Sequence, residues 1–187
     1  MVDDAFPPGT EVIEIHVQDL KQLFNSIDPS PFRERDLDPK AEEFIVHWAR
    51  ELPREAPLGL VIYIDHPPEF GDAETVVRDA IREFFSYSAQ TSRQSMRQLL
   101  RVGRTSLVIG VACLALFLVV GDQLAKAIGE SRLASVVRES LTIGGWVAMW
   151  RPMEIFLYDW WPIRAETRLY ERLSAMPVRI ASAKSAR

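Results

Sequence analysis

Residues 105–121, TSLVIGVACLALFLVVG, carry no charged side chain, and thirteen of the seventeen are Val, Ile, Leu, Ala, Cys or Phe. As a helix this run is roughly 25 Å long, just under the ~30 Å hydrocarbon thickness of a bilayer. Arg104 and Lys126 flank it and can reach the two interfaces. A soluble protein would have to bury such a helix on all sides, and a chain of 187 residues has little material with which to do so. A membrane span over about 105–125 is therefore expected. The start Met1-Val2-Asp3-Asp4 has neither a basic region nor an apolar stretch, so the span is not read as a signal peptide.

A second span is expected over about 140–161, SLTIGGWVAMWRPMEIFLYDWW. It is apolar except for Arg151, Glu154 and Asp159. Crossing would put Arg151 near the bilayer centre, at a cost of about 2.5–3.5 kcal/mol, so these three are the intramembrane polar candidates. Glu154 lies three positions after Arg151 and can partner it. Pro152 is expected to kink or break the helix, and Gly144 and Ala148 permit close contact with another helix. A competing reading begins the span near Leu133 and ends it near Trp150. Met153, Phe156, Leu157, Trp160 and Ile163 then face a membrane surface.

Charge sets the orientation. Residues 1–90 hold eight basic and nineteen acidic side chains, whereas 91–187 hold fourteen and seven. The stretch 86–104 has four arginines and no acid, and 162–187 has six basic residues. Between the spans, 122–139 has three of each sign. By the excess of basic residues in cytoplasmic flanks, both termini belong in the cytoplasm. Arg93, Arg97, Arg101 and Arg104 recur along a basic helical linker, 91–104, and are expected to meet anionic lipid headgroups. Nucleic acid is not expected, because the neighbouring domain would repel phosphate.

The expected fold class is α+β/α, a small cytoplasmic β-α-α-β-α domain over residues 1–90 followed by a helical transmembrane hairpin over 105–161 and a basic cytoplasmic tail over 162–187. In EVIEIHV, residues 11–17, Ile13, Ile15 and Val17 alternate with polar residues, as in a half-covered strand. Asp19 and Gln22 form a capping-box pattern ahead of Leu20, Leu23, Phe24 and Ile27. Asp38 with Pro39 opens a second helix, whose apolar positions are Ala41, Phe44, Ile45, Trp48 and Leu52. Residues 58–65, LGLVIYID, read as a strand covered on both faces. A third helix opens near Asp72. The long crossover implies that the two strands pair in parallel. Two strands make a thin sheet with open edges, so the domain is expected to complete itself by self-association or against a partner.

Chemistry is sparse. No phosphate-binding glycine pattern and no Gly-x-Ser-x-Gly elbow occurs. The single Cys113 and the separated His16, His47 and His66 lack zinc-type spacing, so neither a metal nor a cofactor is expected. His16, His66 and Asp65 fall near the ends of the two strands, and their convergence would be the one route to acid–base chemistry. The loop Arg33–Asp38 alternates in sign and lacks a calcium loop's spacing. Phe32, in the proline turn, either plugs the core or anchors a partner.

The segment 23–49, LFNSIDPSPFRERDLDPKAEEFIVHWA, resembles the opening segment of a family of uncharacterised bacterial inner-membrane proteins with a small N-terminal domain and hydrophobic C-terminal segments. Leu23, Phe24, Asn25, Ser26, Asp28, Pro29, Pro31, Phe32, Asp36, Leu37 and Asp38 carry the likeness. It implies a bacterial membrane setting and brings no activity. Within it Asp28, Pro29, Pro31, Phe32, Asp36 and Asp38 are the candidate partner-binding or structural residues. The reading is a non-enzymatic, membrane-anchored interaction or accessory protein, with lipid and a second copy or a membrane protein as partners. The alternative is a small oligomeric transport or ion-conducting element using Arg151 and Glu154. An enzyme using His16, Asp65 and His66 ranks last.

Overall fold

The computed structural model describes residues 6–25, 36–66, 73–129 and 131–182. The chain forms two compact units, one of Met1–Thr91 with Ala165–Arg187 and one of Ser92–Arg164.

The first unit is built on a parallel sheet. Strand β1 (Glu11–Val17) pairs with β2 (Leu58–Ile64) in parallel, with Ile13 opposite Leu60 and Ile15 opposite Ile62, as the long crossover requires. Every residue of β2 is buried, which explains its nearly unbroken apolar sequence. On one face Leu58, Leu60, Ile62 and Ile64 join Ile13 and Ile15 in the main core. On the other, Val61 and Tyr63 pack with Phe6, Val12 and Ala181.

The sheet has a third strand, which the sequence reading did not anticipate. Residues 162–182, read as part of a basic tail, form regular structure. Their first part belongs to helix α4 (Trp160–Ala175), and Pro177 leads into β3 (Val178–Ser182). β3 pairs in parallel with the far side of β2, placing Val178 opposite Leu60 and Ile180 opposite Ile62. The order is β1-β2-β3, so the domain supplies its own third strand. α4 buries Leu169 and Leu173 in the core. The Arg172 guanidinium donates to the carbonyls of Pro53 and Ala56 at 2.9 and 2.8 Å.

Helix α1 (Pro39–Glu51) starts as expected: Asp38 caps it by accepting from the Lys40 amide at 2.9 Å, and Pro39 occupies the first turn. Its buried stripe is Ile45, Val46 and Ala49. Phe44 and Trp48, assigned to the apolar face above, are 41% and 45% exposed. The element after β1 is shorter than expected, a single 3-10 turn (Leu20–Leu23). There the Gln22 side chain accepts from the Gln18 amide, while Asp19 makes no capping bond. Leu23 and Phe24 are buried, and Phe24 bridges Leu37.

Helix α2 (Ala73–Ile128) is one unbroken helix. Its first turns bury Val77, Ala80, Ile81 and Phe85 in the sheet core, and the same helix continues into the second unit. The second unit also holds α3 (Arg132–Glu154), capped by Ser131, and a π-helical segment (Ile155–Asp159) leading into α4.

Candidate functional site

Glycines set the packing of the second unit. A methyl group at Gly103 would lie 2.8 Å from Ile155 Cγ2, one at Gly110 3.0 Å from the Ala148 carbonyl oxygen, and one at Gly145 2.6 Å from Leu114 Cδ1. At Gly121 the nearest atom would be Leu141 Cβ, at 3.6 Å. Contacts therefore descend along α3 as they ascend along α2, and the two helices run antiparallel. Small residues allow this close approach. At Gly110 the approach has a further use. Pro152 has no amide hydrogen, so the Ala148 carbonyl four residues earlier lacks its helical donor. Gly110 lets that carbonyl lie against α2.

This packing shifts the second apolar segment relative to the expected 140–161. Residues beside 105–121 run from about Arg138, near Gly121, to about Ile155, near Gly103. Later residues lie beside the arginine-rich stretch, as the Ser92 hydroxyl donating to the Ile163 carbonyl at 3.4 Å shows. Arg151 accordingly sits near one end of the apolar run rather than at its middle.

Arg151, Glu154 and Asp159 do come together. Arg151 Nη1 is 2.9 Å from Glu154 Oε2 and 3.5 Å from Asp159 Oδ2. Eight residues apart on an α-helix, positions 151 and 159 would differ by about 80° around the axis. The wider turn of the π segment advances less per residue and brings Asp159 back towards Arg151. Trp160 Nε1 donates to the Phe156 carbonyl at 2.9 Å, and Arg164 lies 5.6 Å over the Trp160 ring. Arg93, Arg97, Arg101 and Arg104 all lie on α2, with Arg104 Nε donating to the Leu100 carbonyl at 3.4 Å.

Most of the apolar surface of this unit is uncovered. Val108, Ile109, Leu116 and Val119 on α2, and Ile143, Trp146, Val147 and Trp150 on α3, are each more than half exposed. α2 is, among the described residues, the one helix long and apolar enough to cross a membrane, and 11% of its most apolar stretch is buried.

In the first unit, backbone hydrogen bonds hold the Asp36 and Asp38 positions, beside the cap that the Asp38 side chain gives α1. The Asn25 amide donates to the Asp36 carbonyl and the Asp38 amide to the Leu23 carbonyl, both at 2.9 Å. These bonds stitch the segment before α1 to the end of the 3-10 turn. Asp28, Pro29, Pro31 and Phe32 lie outside the described residues. A cavity of about 310 Å³ between α1 and α4 is lined by Glu42, Val46, Arg50 and Tyr170 among others. Burial raises the Glu42 carboxyl above its ordinary pKa, helped by Asp36 and Glu166. Burial and the nearby Glu166 and Glu42 carboxylates likewise raise the Tyr170 phenol.

The histidines have separate partners. His16 stacks on Tyr63 at 4.6 Å, His47 lies 3.3 Å from Glu51, and His66 lies 3.9 Å from Asp19. Among the described residues no three His, Cys, Asp or Glu are grouped to hold a metal. Compared with known proteins, the chain matches no family model, no curated protein and no solved structure.

Proposed function

We propose that this chain is a membrane-anchored, non-enzymatic interaction or accessory protein. α2 and α3 cross the bilayer as a hairpin and hold the α/β unit, with both termini, on the cytoplasmic side. One observation carries the reading: the uncovered apolar length of α2 lies inside the crossover that joins β2 to β3. Both ends of that crossover are tied to one sheet, because β3 pairs with β2. A chain that leaves this sheet through a membrane must return through it, so any crossing by α2 calls for a second by α3. At the end of α3, Arg151 pairs with both Glu154 and Asp159, which lowers the cost of carrying its charge into lipid.

The arginines at 93, 97, 101 and 104 then lie at the cytoplasmic interface against anionic headgroups. Trp160 and Trp161 would join them there, where amphipathic rings are favoured. A bacterial inner membrane is the setting implied by the resemblance of residues 23–49. The ion-conducting alternative draws no support from the packing, since Arg151 is held by two carboxylates near one end of the apolar run.

Membrane preparations washed with alkaline carbonate test the anchor. The chain should stay in the pellet, and release into the supernatant would overturn the reading. A cysteine at Ser131, in a Cys113→Ser background, should react with an impermeant maleimide added outside intact cells. Protection there, with labelling only after lysis, would refute the double crossing with cytoplasmic termini.

A further inference from the structure

Among the described residues, two independent features meet on the β1 flank of the α/β unit. The first is the edge of β1. In the sheet order β1-β2-β3 no described strand pairs with its outer side. The Glu11 amide donates to the Pro57 carbonyl, and the Asp65 amide to the Val17 carbonyl. Odd-numbered residues of β1 thus bond to β2, and the backbone groups of Val12, Glu14 and His16 point outward. The second feature is the exposed aromatic pair Phe44 and Trp48, with ring centroids 6.1 Å apart. Successive helical residues turn by about 100°, so these two lie on the flank of α1 opposite Glu42, Val46 and Arg50. That latter flank meets α4, through the shared cavity and the 3.9 Å approach of Arg50 to Glu166. Since α1 packs over β1, Phe44 and Trp48 lie beyond the β1 edge.

We infer that this flank takes a second copy of the chain, through antiparallel pairing of β1 with β1 about a two-fold axis. The inference deepens the proposed interaction role by naming the partner of the α/β unit, and it rests on that reading only for the unit's role. Hydrogen-bonding complementarity, a carboxylate facing an imidazole N–H, selects the partner and the register. Pairing centred on Glu14 would set carboxylate against carboxylate, and pairing centred on Ile13 would set Glu14 against Val12. Centring on Ile15 sets Glu14 of each copy against His16 of the other, twice over. It also joins the outward backbone groups of both residues and places Ile13 opposite Val17 on the core face. Glu14 is already oriented, since the Tyr63 hydroxyl donates to its Oε1 at 3.3 Å, and His16 is held flat on the Tyr63 ring. The sheet becomes six-stranded, and Phe44 and Trp48 of each copy meet the other copy beside the new seam. The edge carboxylate also rejects other registers, a common protection of open edges.

The test is a side-chain swap cycle on the full chain in detergent micelles, reading protein mass by light scattering over a concentration series. The wild type should be a dimer. His16→Glu and Glu14→His, which set like side chains opposite one another, should each weaken dimerisation by about tenfold. The double variant E14H/H16E restores opposite pairs and should return to the wild-type curve, which also shows that the single variants fold. A wild type that stays monomeric, single variants that dimerise like the wild type, or a double variant no better than the singles would each overturn the inference. The carbonate wash of the same proteins reads the anchor separately. A chain released by carbonate that still follows the swap cycle would remove the anchor and keep the dimer.

Discussion

Replacing Gly110 with alanine should destabilise the second unit, although alanine is the better helix former. The helical preference of Ala over Gly favours the variant by about 1 kcal/mol. The new methyl would lie 3.0 Å from the Ala148 carbonyl oxygen, 3.1 Å from Met149 Sδ and 3.5 Å from Pro152 Cγ. Met149 can swing aside, but the carbonyl is backbone, so α2 and α3 must separate. Overpacking of this kind costs about 1–3 kcal/mol. Separation also strands a carbonyl that already lacks its helical donor, which is costly in an apolar surrounding. The net expectation is a loss of up to about 2 kcal/mol. Gly121→Ala is the matched control. Its nearest neighbour would be 3.6 Å away, an ordinary contact, so that variant should gain up to about 1 kcal/mol. The assay is unfolding in mixed micelles by titration with a denaturing detergent, followed by circular dichroism. Equal midpoints for the two variants, or a Gly110→Ala protein more stable than the wild type, would refute the glycine-packed antiparallel pair.

Two further outcomes follow from the first unit. Leu173→Ala, deep in the core on α4, should cost about 2–5 kcal/mol in thermal or denaturant unfolding; a loss below 1 kcal/mol would show that α4 is a loose tail after all. Glu42→Gln should raise the melting temperature at neutral pH. Its carboxyl has a folded pKa above the unfolded one, so the folded state holds its proton more tightly and stability falls as pH rises between the two values. The gain should therefore disappear below the ordinary carboxylate range, and a gain independent of pH would rule out this cause.

Much of the architecture was legible locally. The β1 alternation, the apolar β2, the Asp38-Pro39 start of α1 and the charge-free run each depend on side chains within a few residues of one another. Their elements formed where expected. The parallel pairing of β1 and β2 was also legible, because the long crossover between two covered strands leaves little choice. Other features were hidden. Val178–Ser182 is five residues long and follows an arginine-rich helix, so its alternation is too brief to distinguish a strand from a tail. Phe44 and Trp48 share a helical stripe with Ile45, and the 3.6-residue period alone cannot say which side of a wide stripe meets the sheet. Among the candidate site residues, the pairing of Arg151 with Glu154 was readable from their spacing. The arrival of Asp159 was not, because it depends on a π segment that no spacing rule announces.

The amino-acid order by itself determined where apolar helix and charge lie along the chain, since hydropathy and charge are summed residue by residue. Only the tertiary structure decided that β3 returns to β2. That pairing depends on contacts across more than a hundred residues, and it turns a domain, a span and a tail into one sheet with a helical crossover inserted. It also ties both ends of that crossover to the same sheet, because paired strands cannot be separated without breaking their hydrogen bonds.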